Sequence, residues 1–198
     1  SSRSITVRYL SLEYRSIVEV VPTLSSCGMT GFVDLVVKDK MTAKYDNRIT
    51  LNCSISSKED LGDVEISWVH FENNDILCNY NSKDERATHH QRAACTFGDL
   101  QLSLTLHRFL PSDEGMYICK LRSKAGMKHT NTTVQLQDQF SRFQYAQSSS
   151  QRTCTFYEVY PQGEVHWFDE DRNVTEDVVY SSSNKTKNGL FNITSTYD

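Results

Sequence analysis

The stretch Asp113-Glu114-Gly115-Met116-Tyr117-Ile118-Cys119 decides the reading of this chain. Its pattern is D-x-G-x-Y-x-C. Gly115 permits a tight turn at the entry to a strand. Strand side chains alternate between faces, so Tyr117 and Cys119 point the same way, into a core. A tyrosine two residues before a cysteine at such a corner returns its hydroxyl to the upstream backbone. Cys119 then needs a partner on a facing sheet, and Cys53 in Ile49-Thr50-Leu51-Asn52-Cys53 offers one. Between the two cysteines lies Trp68, in Val64-Glu65-Ile66-Ser67-Trp68-Val69, placed to cover the bridge.

Cysteine, tryptophan and D-x-G-x-Y-x-C in this order specify an all-β, immunoglobulin-like β-sandwich of variable type over residues 35–137. Leu35-Val36-Val37 and Met41-Thr42-Ala43 supply the first edge strand, which in this fold often switches sheets. Residues 49–55 read as strand B, 64–71 as strand C and 76–80 as the additional C′ strand. Leu100, Leu102, Leu104 and Leu106 alternate strictly, which makes 100–106 a half-buried strand E. Residues 127–137 form strand G. Arg92, opening strand D, is expected to pair with Asp113 at the base of the sandwich. Cys78 and Cys95 lie between strands C and E and suggest a second disulfide, from C′ to D. Connectivity does not follow from spacing, so Cys78 left free or bound to Cys27 stays open.

Residues 138–198 begin a second sandwich. Arg152-Thr153-Cys154-Thr155-Phe156 is its strand B, and Glu164-Val165-His166-Trp167-Phe168 its strand C, with Trp167 as the covering tryptophan. Residues 188–196 turn into strand E, and the chain ends before strand F. This is a constant-type domain truncated after five of the seven strands such a sandwich has. Cys154 has no partner in the expected place, and a half-open core is expected. Residues 1–34 form an unassigned lead. Residues 4–10 and 17–21 alternate like strands, and Cys27 has no evident partner.

Composition narrows the function. With 38% hydrophobic and 23% charged residues in 198, the chain is globular. A net charge of −4 does not point to nucleic acid. The six cysteines contain no C-x-x-C, so bridges explain them better than a metal site does. N-x-S/T sequons at Asn52, Asn131, Asn173, Asn184 and Asn192 predict an extracellular glycoprotein. No apolar run reaches the ~20 residues of a membrane span. The chain is expected to be a piece of a secreted protein, or of one held at the cell surface by a C-terminal anchor beyond this sequence. No cofactor and no metal are expected. His89-His90 is the tightest histidine cluster, yet adjacent side chains point apart. Ser112, Asp113 and His107 read as a corner and a salt bridge rather than a catalytic triad, so no enzyme is expected.

Function therefore falls to surfaces. Alternation turns Ser67, Val69 and Phe71 outward on strand C, and Met116, Ile118, Lys120 and Arg122 outward on strand F. An apolar centre rimmed by Lys and Arg suits protein docking. Lys120, Arg122, Lys124 and Lys128 surround the F–G hairpin without the interleaved aromatics of a nucleic-acid surface. A glycan on Asn131 would shield one margin.

These residues resemble the T-cell co-stimulatory and co-inhibitory ligand and butyrophilin family, in which a variable-type domain precedes a constant-type one. The second domain carries the more specific likeness. Tyr160-Pro161, Glu164-Val165 with Trp167, and residues 190–196 are similar to programmed-death-ligand sequences, as are Gln91-Arg92-Ala93 and residues 100–104. The resemblance implies a type I membrane protein whose C′-C-F-G face binds a lymphocyte receptor and modulates T-cell activation. Position by position it implicates Ser67, Val69, Ile118, Lys120, Arg122, Met127 and His129, to which alternation adds Phe71. Alternatives are an immunoglobulin-type adhesion or inhibitory receptor acting by self-association as a homodimer or through other ligands, and a soluble decoy.

Overall fold

Each strand of a sandwich buries one face, so period-two alternation marks the burial of core strands such as Ile49–Ser57 and Gln101–Leu106. The structure, a computed structural model, describes residues 5–11 and 32–198. After an N-terminal strand, β1 (Ile5–Ser11), residues 33–136 form one unit, and Gln137–Asp198 form a second unit together with β1. The first unit contains β2 (Val33–Val36), β3 (Lys40–Ala43), β4 (Ile49–Ser57), β5 (Glu65–His70), β6 (Asp75–Asn81), β7 (Arg86–His89), β8 (Ala93–Gly98), β9 (Gln101–Leu106), β10 (Gly115–Ser123) and β11 (Gly126–Leu136).

Two sheets face each other, in the orders β2-β4-β9-β8 and β3-β11-β10-β5-β6-β7. The first edge strand switches sheets, since β2 pairs with β4 and β3 runs parallel to β11. Leu51, Cys53, Leu102 and Leu104 from one sheet meet Ile66, Trp68, Tyr117 and Cys119 from the other, all at 1% exposure or less. The Cys53–Cys119 disulfide joins the sheets across 6.5 Å between Cα atoms. Trp68 stands opposite Cys119 in the β5–β10 register and donates its indole N–H to the Leu102 carbonyl at 3.4 Å. A second disulfide, Cys78–Cys95, joins β6 to β8.

The lower corner is built by hydrogen bonds. The Tyr117 hydroxyl donates to the Asp113 carbonyl at 2.5 Å, and burial pushes its pKa well above the usual tyrosine range. The Arg92 guanidinium donates to both Asp113 carboxylate oxygens, at 3.0 and 2.7 Å, and to the Arg108 carbonyl at 3.0 Å. One of those oxygens also accepts the Leu110 N–H at 2.8 Å. Gly115 has φ +138°, and a Cβ there would lie 2.5 Å from the Glu72 carboxylate. That carboxylate caps the Met116 N–H at 3.1 Å. The glycine thus serves both the turn and the approach of Glu72.

Two local readings need correction. Arg92 sits in the turn before β8 rather than inside the strand. Leu100 is not a core residue of β9: it is 45% exposed and, with Asp99, adopts positive φ in the two-residue turn between β8 and β9. Such primed turns match the twist of a hairpin, and turn geometry here overrides the leucine alternation. Strand β2 begins at Val33, and the sheet of β3 and β11 includes the extra edge strand β7.

The second unit contains β12 (Arg142–Gln147), β13 (Arg152–Val159), β14 (Gly163–Asp169), β15 (Arg172–Asn173), β16 (Val178–Lys185) and β17 (Phe191–Tyr197). One sheet has the order β12-β13-β17-β16, the other β1-β14-β15. Trp167 is fully buried and donates its indole N–H to the Ser195 hydroxyl at 2.9 Å. The lead that the sequence leaves unassigned contributes one strand to this unit, β1. It pairs antiparallel with β14 and places Val7 opposite Trp167, as Cys119 stands opposite Trp68 in the first unit. Residues 17–21 and Cys27 lie outside the described residues. Cys154 is buried as a free thiol, and desolvation pushes its pKa up to about 11.

Two stability outcomes follow from these clamps. Replacing Cys78 and Cys95 together by Ala should destabilise the first unit by about 3 kcal/mol in a denaturant melt, because the bridge closes a loop of 17 residues. Arg92→Ala should cost about 1–2 kcal/mol, less than for a buried ion pair, because the Arg92 side chain is 44% exposed and Asp113 keeps its Leu110 bond.

Candidate protein-binding face

Once Tyr117, Cys119 and Leu121 point inward on β10, Met116, Ile118, Lys120 and Arg122 point outward. Cross-strand register sorts the outward side chains into rows. Asn131, Ile118, Val69 and Ile76 form one row across β11, β10, β5 and β6. His129, Lys120, Ser67 and Asn79 form the next, and Met127, Arg122, Glu65 and Asn81 the one beyond. Past the first row, toward the corner, Phe71 lies beside Met116, whose carbonyl accepts the Phe71 N–H at 2.9 Å.

The face therefore has two halves. The corner half is apolar, with Phe71 58% and Ile76 63% exposed around Ile118. The hairpin half is basic, with Lys120, Arg122 and His129 exposed beside Met127, which is 72% exposed. A shallow depression of about 500 Å³ in that half is lined by Ser67, Lys120, Arg122, Met127, Lys128 and His129 among others. Arg122 reaches toward Glu65 at 4.0 Å with both side chains well exposed, so the pair is screened and leaves the guanidinium available. By register Lys128 stands opposite inward-pointing Leu121, and Lys124 is in the hairpin turn, so neither belongs to the outward rows.

Seven of the eight residues that the sequence implicates, Ser67, Val69, Ile118, Lys120, Arg122, Met127 and His129, thus lie on strands of one sheet, and Phe71 lies in the turn that follows β5. One expectation fails: Val69 is not exposed but 4% accessible. It lies mid-row between Ile118 and Ile76, at a register shift between Trp68 and Val69. It supports the face from within. Ile76, which the sequence reading left out, is the exposed apolar residue of that row; its place beside Val69 is the signal that marks it.

The opposite sheet contrasts with this one. Thr50, Asn52, Ser54, Gln101, Ser103 and Thr105 turn outward there and satisfy one another. Thr50 and Thr105 hydroxyls bond at 2.9 Å, Ser54 donates to Gln101 at 2.9 Å, and Ser103 donates to Asn52 at 2.8 Å. The strand β2 edge of that sheet adds exposed Asp34 and Val36, and Asn52 is a sequon asparagine. Of the other sequons, Asn131 is exposed at the edge of the apolar half, and Asn173 and Asn184 are exposed on the second unit. Asn192 is partly buried, and its side-chain oxygen accepts the Glu158 N–H at 2.9 Å.

Asp113 is committed to Arg92 and Leu110, which removes it from a triad with His107 and Ser112. His89 and His90 use ring nitrogens on nearby backbone groups. Among the described residues no group of three His, Cys, Asp or Glu side chains could hold a metal ion. Nor is any helix among them long and apolar enough to cross a membrane.

The double variant Lys120→Glu/Arg122→Glu should leave unfolding within about 0.5 kcal/mol of the parent, because both side chains are solvated. Val69→Asp should cost about 3 kcal/mol or more by burying a carboxylate. Parallel denaturant melts of the two variants separate surface from support.

The model of the immunoglobulin V-set domain matches residues 36–137, more than half of the 198-residue chain. Bovine butyrophilin shares the fold with 16% identity and a TM-score of 0.63, over 83% of this chain and 84% of that one. The extracellular portion of mouse CD200RLa shares it with 16% identity and a TM-score of 0.54, over 81% and 84%. No enzymatic family is indicated by these likenesses. A variable-type sandwich with its bridge, tryptophan and tyrosine corner in place, matched over that whole span, makes this chain a member of the immunoglobulin V-set domain family.

Proposed function

We propose that the chain is the ectodomain of a cell-surface ligand that binds a protein receptor on lymphocytes and thereby modulates T-cell activation. The observation that carries this reading is the divided outward face of β11, β10, β5 and β6. Exposed Phe71 and Ile76 adjoin a basic strip of Lys120, Arg122 and His129, while on the opposite sheet the outward polar groups of β4 and β9 pair with one another. Stable interfaces combine a desolvated apolar anchor with a charged rim. The rim sets orientation and association rate. Ser67, Met127 and Ile118 join the two halves, and Val69 holds the centre in shape. On this reading the partner presents an aliphatic or aromatic group to the Phe71–Ile76 half and carboxylates to the Lys120–Arg122 half.

Glycans on Asn52, Asn131, Asn173, Asn184 and Asn192 belong to the same reading and place the chain outside the cell. The Asn131 glycan would stand beside Ile118 and bias the footprint toward the basic half. A second reading, an immunoglobulin-type receptor or adhesion molecule, is favoured by the fold shared with the mouse CD200RLa extracellular portion. It predicts a signalling tail in the full-length protein, where the ligand reading predicts a short, plain one.

Fluorescent tetramers of the full chain should stain lymphocytes, and Lys120→Glu/Arg122→Glu should weaken that binding at least tenfold, about 1.4 kcal/mol, with folding intact. Unchanged staining by the double variant would remove the site from this face. Absence of staining by the folded parent would favour the receptor and adhesion reading.

A further inference from the structure

Phe71 is flanked in sequence by two polar side chains that approach each other. Residues 71–74 form the turn between β5 and β6, with Asn74 at φ +54° and its N–H on the Phe71 carbonyl at 3.3 Å. The turn is tied to β10 through both backbone groups of Met116. The Met116 carbonyl accepts the Phe71 N–H at 2.9 Å. The Met116 N–H donates to the Glu72 carboxylate, at 3.1 and 3.3 Å from its two oxygens. Gly115 keeps the space that this carboxylate occupies, since a Cβ there would lie 2.5 Å from it. A side chain, not the strand ladder, therefore closes the rung beside Phe71.

His70 approaches the same carboxylate from the core. It is 3% exposed, and among the described residues its Nε2 is the buried side-chain polar atom left without a hydrogen bond. That nitrogen lies 3.4 Å from the second Glu72 oxygen. Buried polar atoms are almost always hydrogen-bonded, so this one calls for a reason. With the only ring proton on Nδ1, the Nε2 lone pair faces a carboxylate. With that proton on Nε2, a neutral ring gains only a long contact. In the imidazolium both nitrogens donate, and Nε2–H then faces an anion. A charge-assisted bond of this kind is roughly twice as strong as a neutral one.

The charges facing His70 come from several elements. Its ring packs edge-on against Tyr117 of β10, 4.8 Å between centres. It lines a cavity of about 100 Å³ with Tyr117, Asp75 of β6, Asp113, and His90 and Arg92 from the segment between β7 and β8. Arg92 is held by both Asp113 oxygens, which leaves that pair close to neutral. Glu72 and Asp75 then make the surroundings negative. His90, whose Nδ1 accepts the Arg92 N–H at 3.5 Å, is the second imidazole of the cluster and the natural control.

We propose that His70 and Glu72 form a proton-operated latch on the turn that carries Phe71. When His70 takes a proton from solvent, one Glu72 oxygen pairs with Nε2–H while the other keeps the Met116 N–H. The carboxylate then bridges β5 and β10, and the turn loses freedom. The proton returns to solvent when the pH rises. Mildly acidic solution presents Phe71 preorganised, and less ordering cost falls on a partner that packs against it. That last step rests on the receptor reading; the latch itself does not. Both residues are positioning residues that act through Phe71.

The latch is read on the full chain without a partner, as hydrogen-exchange protection of the Met116 amide by NMR, corrected for the intrinsic pH dependence of exchange. In the parent, protection about threefold or more higher at pH ~6 than at pH ~7.5 is expected. Glu72→Gln, which keeps an oxygen for Met116 but no charge for His70, should show equal protection at both pH values, and His90→Gln should respond as the parent does. A parent that does not respond, a response that Glu72→Gln retains, or one that His90→Gln abolishes would overturn the proposal. Lymphocyte staining by tetramers at the same two pH values tests the step to binding. Stronger staining at the lower pH in the parent, absent in Glu72→Gln, is expected. Staining that Lys120→Glu/Arg122→Glu weakens but that pH leaves unchanged would keep the face and overturn the role of the latch in binding. A responsive Met116 amide in a parent that does not stain would establish the latch and count against the receptor reading.

Discussion

The bridge between Cys53 and Cys119, covered by Trp68, is the constraint on which the rest of the first unit depends. It fixes which face of β4 and which face of β10 look inward. Alternation then determines every outward residue on both sheets. The bridge closes a loop of 66 residues, worth about 4 kcal/mol in the chain-entropy picture. The Tyr117 hydroxyl and the Arg92–Asp113 pair hold the corner from which β10 enters, so they fix its register as well as its position. The Cys78–Cys95 bridge does the same for β6, whose Ile76 reaches the proposed binding face. A surface built this way is preorganised, and little ordering cost falls on association.

The two outer faces show how one fold divides labour. On the β4 and β9 face, hydroxyl and amide groups pair among themselves, and no strong tendency to dock remains. On the β10 and β5 face, apolar and basic side chains lie in adjacent rows without mutual satisfaction. The second unit applies the same frame with a different closure. Trp167 is buried as Trp68 is, but its neighbour across the sheet is Val7, so packing replaces the covalent clamp. Raised thiol pKa at Cys154 reflects the same enclosure, since desolvation disfavours the thiolate.

How much of this was legible in the sequence depended on the range of the interaction. D-x-G-x-Y-x-C, Cys53 and Trp68 encode local geometry and one covalent constraint, so the V-type frame was readable from them. Facing directions followed from alternation, and seven of the eight implicated residues lie on strands of one sheet, with Phe71 in the turn after β5. Exposure did not follow, because it depends on cross-strand neighbours: Val69 is covered in a row whose third member, Ile76, comes from another strand. Leu100 looked like a core leucine, yet the two-residue turn with Asp99 claimed it. The place of β1 was least legible. Ile5, Val7 and Tyr9 announce a strand, but nothing local says that its partner is β14, more than 150 residues on.

The most direct test of the central claim, that the β10 and β5 face meets a protein partner, is site-specific photo-crosslinking on living lymphocytes. A photoreactive side chain is placed at Ser67, outward on β5, and separately at Ser103, outward on β9 of the opposite sheet. The account predicts that the Ser67 probe captures one lymphocyte surface protein and that the Ser103 probe captures none. Capture from Ser103 equal to or greater than capture from Ser67 would contradict it.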